Sequence, residues 1–282
     1  MFKKIFALLF VMSFVLFGCD KLDDPYLVEK GGGHGPPPEE NVRKVLLEEF
    51  TGHLCPNCPE GSAIAHDLKT IYGEQLILIS IHAGFFALPQ SAPYEADYRT
   101  TMGGDLNDYF SVQSYPSGMV NRTDYQGSTV LGKNSWEPAI QALIELDAGA
   151  KLEIDKNYMA GTRELDVVIH SEILKDCDDP VGLCVVITES GIVSAQKNSN
   201  ASIGPSPDWE DYEHDHLLRK AINGTWGDMI NGDQGVTQGQ EYHNEYSITL
   251  DEDWDAASCH VVAYLYNSGT NEIIQAEEVA VI

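Results

Sequence analysis

The chain has 282 residues, and its 44 acidic side chains outnumber its 17 basic ones, for a net charge of −27. A surface of that sign repels the phosphates of nucleic acids and anionic lipid headgroups, so neither is expected to bind the protein body. The length suits two domains of roughly 100–200 residues each, with two cores.

Residues 1–18 place Lys3 and Lys4 ahead of an apolar run from Ile5 to Phe17. This is the pattern of a secretory signal peptide, too short and wrongly flanked for a spanning helix. Its ending, LFGC, resembles a bacterial lipobox, in which cleavage before Cys19 leaves that cysteine as a lipidated N-terminus. Attachment to a membrane is then expected through lipid on Cys19, with the acidic body held off in water. Asp20, Asp23 and Asp24 resemble the acidic sorting signals of surface-exposed lipoproteins. Residues 19–41 contain GGGHGPPPEE, a flexible and then stiff tether that cannot build a core.

Val45–Phe50 is an apolar run with Glu48 and Glu49 inside it, bounded by Thr51-Gly52, and reads as a central strand. Cys55 and Cys58 follow with two residues between them. Pro59 suits a first helical turn, Ile64, Leu68 and Ile71 share one helical face, and Gly73 ends the helix. Gln75–Ile81 is apolar on both faces, as in a parallel strand covered by helices. Together these form a strand–helix–strand unit with the C-x-x-C at its first turn. At a helix start, the positive end and unpaired N–H groups favour a thiolate on the first cysteine.

Residues 84–111, aromatic and polar without one period, read as an insertion with short helices. Tyr115-Pro116 leads into a short strand over Met119–Asn121. A helix then starts at Asn134 or Ser135 and carries Pro138 in its first turn. Beyond about residue 148, alternating strands take over, at 151–159, 163–174, 181–190, 191–197, 242–250, 258–267 and 271–281. Leu165, Val167, Ile169 and Ile173 alternate as one buried face. Count and length suit an immunoglobulin-like antiparallel β-sandwich. Residues 198–241 interrupt it as a long insertion, partly helical and partly loop. Cys184 and Cys259 lie in apolar runs and read as core residues.

Residues 42–148 resemble the thioredoxin-like fold. Strand, C-x-x-C, helix and buried strand come in that family's order, Glu49 stands where the family has a buried acid, and Pro116 where it has its cis-proline. The mature chain also resembles the outer-membrane protein-28-related family of bacterial lipoproteins. The residues carrying this are EEFTGHLCPNCP (48–59), SIHAG (80–84), YPSGMVNR (115–122), HDHLLRKAINGTWGD (214–228) and VVAYLYNSGTNEIIQAEE (261–278). The resemblance implies a thioredoxin-like domain at 42–148, a β-sandwich at 149–282, and an outer-membrane lipoprotein on the periplasmic or surface face. Departures are Leu54 in place of the usual tryptophan and the lack of a lysine in 76–81.

Two readings of the cysteines stand. In the first, Cys55 attacks a substrate disulfide, Cys58 resolves the mixed disulfide, Glu49 takes the proton of Cys58, and Pro116 with the backbone of Tyr115 pairs with an extended substrate, such as a disulfide-containing envelope protein. In the second, Cys55–Cys58 is a permanent disulfide in a non-catalytic binding or structural protein. A metal held by His53, Cys55, Cys58 and His82 lacks a second C-x-x-C or an H-x₃-H, so neither metal nor cofactor is expected. His53 reads as a solvated turn residue, and His214 and His216 as parts of an acidic loop.

Overall fold

The computed structural model describes residues 41–282. The signal segment 1–18, Cys19 and nearly all of the tether lie outside the described residues. Within 41–282 the molecule is rich in β-structure, with mixed sheets and few helices.

Strand β1 (Val45–Thr51) is buried along its whole length and pairs in parallel with β2 (Leu76–His82) through helix α1 (Cys58–Tyr72). Pro59 sits in the first turn of α1, where its missing N–H has no partner to lose. Gly73, at φ +56°, ends the helix in a conformation that other residues adopt at a cost. After helix α2 (Thr101–Tyr109), capped by the Thr100 hydroxyl, β3 (Ser117–Val120) returns antiparallel to β1. The two-residue β4 (Leu131–Gly132) pairs with β3, and helix α3 (Trp136–Ile144) follows.

The second half begins with the hairpin β5 (Ala150–Met159) and β6 (Glu164–Ile173), and strand β7 (Val181–Glu189) is buried at every residue. The expected partly helical insertion is instead made of strands. They are β9 (Asp208–His214), β10 (Leu217–Ala221) and β11 (Asp228–Asp233); the strand expected at 191–197 is present as β8 (Ile192–Lys197), but it pairs with β9 in a separate hairpin instead of joining the sandwich sheets. β9 alternates no apolar face, which is why its strand character does not show in the sequence. β12 (Glu241–Thr249), β13 (Cys259–Asn267) and β14 (Ile273–Ala280) complete the chain, close to the expected bounds.

β12, β6 and β5 form one three-stranded sheet, which lays Leu165, Val167 and Ile169 over Leu183, Val185 and Val261 of the opposite sheet to make a sandwich core. That opposite sheet does not stop at the sandwich. It runs β14-β13-β7-β10-β2-β1-β3-β4, because β10 pairs antiparallel with β7 and, at Leu217 opposite Ser80, parallel with β2. A second core therefore crosses residue 148, with Leu46, Phe50 and Ile79 packing in the same cluster as Val186, Val262 and Tyr264. A third, under α1 and α3, holds Leu47, Leu68, Leu78 and Trp136. The expected two cores are thus three, one of them shared between the halves.

Candidate functional site

The site is built at the end of β1. Gly52 runs so close to the 86–87 backbone that a Cβ there would lie 2.5 Å from the Phe86 carbonyl carbon, which only glycine avoids. Leu54 N–H donates to the Phe86 carbonyl at 2.9 Å, and Cys55 N–H to that of Gly52 at 2.9 Å. These bonds shape the turn that brings Cys55 to Cys58 at the start of α1, where the two are joined in a disulfide. The other cysteines described, Cys177, Cys184 and Cys259, are free thiols. Cys184 and Cys259 are core residues as expected, and burial pushes the Cys184 thiol up to about 11.

Glu49 points from β1 toward α1 and is buried. Loss of hydration raises its carboxyl to about 7, against the pull of the Ser62 and Ser80 hydroxyls, the first donating at 3.0 Å. Ser80 is the residue opposite Glu49 in the β1–β2 pairing, so a hydroxyl stands near the acid on a strand without lysine. A Cβ on Gly61 would lie 2.7 Å from the Pro116 ring and 3.2 Å from Glu49 Oε1. α1, Glu49 and Pro116 therefore meet at Gly61. The Tyr115–Pro116 peptide is cis. The Tyr115 side chain turns toward α2, where its hydroxyl donates to Asn107 and its ring lies 5.8 Å from that of Phe86. Of the residues singled out in the sequence, Glu49 and Pro116 thus come together on the helix that Cys58 begins.

What the sequence did not disclose is the cover. The β8–β9 hairpin lies on the C-x-x-C turn. Gln196 Nε2 donates to the carbonyls of Cys55 at 2.9 Å and Gly52 at 3.3 Å. Lys197 N–H donates to the His53 carbonyl at 2.8 Å and Ser199 N–H to that of Pro56 at 2.7 Å. The Ser199 hydroxyl reaches Asn57 Oδ1 at 2.8 Å. Asn198 Nδ2 binds three carbonyls of the 200–205 loop and so holds the hairpin's tip in shape. Beneath this cover Cys55 and Cys58 are each 1% exposed. No spacing rule foretells it, since the covering residues lie about 140 positions downstream.

The same hairpin supplies one wall of a cavity of about 200 Å³ lined by Glu49, Ser62, Ser80, His82, Tyr212 and His214. His53 is a buried residue rather than a solvated one, with Nε2 3.1 Å from the Leu88 carbonyl oxygen. His214 belongs to a strand rather than a loop, and its ring lies 5.3 Å from that of His82 and 4.8 Å from that of Tyr212. Burial holds His82 well below the usual imidazole range and His214 at about 3, so both rings are neutral. In the acid runs at 176–179 and 251–255, carboxylates accept from backbone: Asp251 Oδ1 from Asp253 N–H and Asp255 Oδ1 from Ala257 N–H within their own loop, and Asp176 Oδ1 from Gln238 N–H of another.

Chemically, thiol–disulfide exchange requires a thiolate to reach a sulfur in line with the S–S bond. Neither sulfur offers such an approach in this structure. The environment holds a buried acid, Glu49, able to change protonation near neutrality.

A family profile described as outer membrane protein Omp28 matches residues 104–282. Among solved structures, the chain is similar to HBP35 of Porphyromonas gingivalis, at 17% identity and a TM-score of 0.61 over 85% of this chain and 75% of that one. This shows a shared fold. Weaker likenesses, which carry no weight alone, are to a protein of Agrobacterium tumefaciens (10%, TM-score 0.49, 86% and 96%) and to a domain of the outer membrane lipoprotein Omp28 from Porphyromonas gingivalis (17%, TM-score 0.31, 48% and 88%). No curated protein matches the sequence.

Proposed function

From the premise that this chain belongs to the outer membrane protein Omp28 family, whose seat is the outer membrane of the bacterial envelope, we propose that it is a non-catalytic, lipid-anchored envelope protein. In this reading Cys19 carries the lipid, residues 42–148 are a thioredoxin-like scaffold, and 149–282 an immunoglobulin-like sandwich that grips it. Cys55–Cys58 is a permanent disulfide. The order β2-β1-β3-β4, with α1 following the C-x-x-C and a cis-proline against that helix, supports the thioredoxin-like assignment. The observation that carries the functional reading is the cover: both cysteines are 1% exposed beneath hydrogen bonds from Gln196, Lys197 and Ser199.

A second reading rests on Glu49, whose carboxyl at about 7 suits proton transfer to or from Cys58. There the hairpin lifts, Cys55 exchanges with disulfides of envelope proteins, and Tyr115 and Pro116 line the entry. One experiment separates the two. The full mature protein, incubated with dithiothreitol and insulin, is expected to leave the rate of insulin reduction at that of dithiothreitol alone, and its Cys55–Cys58 pair is expected to stay unlabelled by a maleimide after mild reduction. Insulin reduction faster than with dithiothreitol alone, the acceleration disappearing in Cys55→Ala, would overturn the non-catalytic reading.

A further inference from the structure

The outer face of the β5–β6–β12 sheet carries an arrangement unrelated to the cysteines. His170 on β6 and His243 on β12 are direct partners in the antiparallel register, so both side chains project from the same face. Their rings lie 4.7 Å apart, and their Nδ1 atoms face each other at 3.3 Å. Each ring is held from behind: His170 Nε2 is 3.2 Å from Asp155 Oδ2 and His243 Nε2 is 2.9 Å from Glu245 Oε1.

An ionised carboxylate only accepts, so each Nε2 bears the proton, and in a neutral ring that leaves a lone pair on Nδ1. Two lone pairs then point into one gap. They repel unless a cation lies between them, either a proton that turns one ring into an imidazolium or a metal ion. The distance suits a metal, because two zinc–nitrogen bonds of about 2.0–2.1 Å at the tetrahedral angle end on nitrogens about 3.3 Å apart. Backing of each imidazole by a carboxylate is also how metal-binding histidines are oriented and made more basic. The His170 and His243 side chains are 41% and 52% exposed, so an ion needs no opening to enter.

We propose that His170 and His243 form a two-histidine site for a divalent first-row metal of the zinc, nickel or copper(II) class, oriented by Asp155 and Glu245 and completed by water. Imidazole nitrogen selects these ions over the hard cations calcium and magnesium, which prefer oxygen. Among the described residues no group of three or more histidine, cysteine or acidic side chains converges on one point, so the protein supplies two ligands and the binding is reversible rather than structural.

The test is calorimetric titration of the full mature protein, disulfide intact, with zinc chloride at pH 7.5. One equivalent is expected to bind, at least tenfold more weakly in His170→Gln and in His243→Gln, about tenfold more weakly in Asp155→Asn, and unchanged in His66→Gln, an exposed histidine on α1. Excess calcium chloride should not displace the zinc. Zinc-free thermal midpoints of the two histidine variants close to that of the wild type check that they fold, and zinc should raise the midpoint of the wild type but not of these variants. The proposal is overturned if no zinc binds, which means the gap takes only a proton. It is equally overturned if both histidine variants bind as the wild type does, or if calcium competes, which means the acidic surface alone attracts the ion.

Discussion

Glu49 shows how one buried group sets the pH response of its surroundings. Its carboxyl is raised to about 7 by burial, above the value near 4.5 of an exposed glutamate, so between those two the folded protein holds a proton that the unfolded chain has released. Stability from this residue is therefore fully present below about pH 4.5 and is lost as pH rises through 7. Glu49→Gln keeps the hydrogen bond from Ser62 without the ionisation, and is expected to gain stability over the wild type by up to roughly 3 kcal/mol between pH 5 and pH 8. Denaturant midpoints of the two proteins across that range check it, and a constant difference would show that the acid is hydrated. His214, whose imidazole is depressed to about 3, acts in the opposite sense below pH 6.5, so only the difference between variant and wild type isolates Glu49. The acid and its strand were legible in the sequence, because a charged residue inside an apolar run must be either paired or functional. Its hydroxyl neighbours were not, since Ser62 and Ser80 become partners only once α1 and β2 are packed.

At the scale of elements, the hairpin β8–β9 decides what the C-x-x-C turn can do. Gln196 is buried, and truncation to alanine removes a donor that serves the carbonyls of Gly52 and Cys55. Gln196→Ala is expected to cost about 1–3 kcal/mol and to speed reduction of the Cys55–Cys58 disulfide by dithiothreitol under native conditions, followed by maleimide labelling and mass. An unchanged reduction rate would mean that the cover is not what protects the sulfurs. Strand–helix–strand order and the sandwich strands were readable because α1 repeats its apolar residues with period 3.6, β6 alternates with period 2, and β1, β2 and β7 are short continuous apolar runs. β9 and β10 were not. β9 has mixed side chains on both faces and owes its form to pairing with β8, while β10 is a five-residue strand inserted between β2 and β7. The burial of His53 was hidden because its ring is set against Leu88, Tyr94 and Tyr98, from a segment whose aromatic and polar residues follow no one period.

For the whole molecule, the two halves are joined by charge as well as by a common sheet. Arg122, just after β3, pairs both ways with Glu48 of β1 at 2.7 and 2.8 Å and donates to the Tyr264 hydroxyl of β13 at 2.9 Å, with the ion pair essentially without exposure. The guanidinium also lies 5.1 Å from the centre of the Tyr264 ring. Arg122→Met leaves the Glu48 carboxylate buried and alone, which is expected to cost about 3–5 kcal/mol, whereas adding Glu48→Leu should recover most of it. Urea titrations of both variants measure this, and a double variant no better than the single one would place the loss in packing instead. The two-domain division of the chain, with its boundary near 148, rested on a change of periodicity, and that change is real. It does not mark a break in the packing, because β10 and this ion pair belong to both sides.

The separation in sequence between the disulfide and its cover has a consequence for biogenesis. A chain delivered across a membrane N-terminus first presents Cys55 and Cys58 about 140 residues before Gln196 arrives. In that interval an external two-electron acceptor, such as another disulfide, can take the electrons of the two thiols without the hairpin in the way. Under the non-catalytic reading, any oxidant or reductant that acts on the finished protein must first open that hairpin.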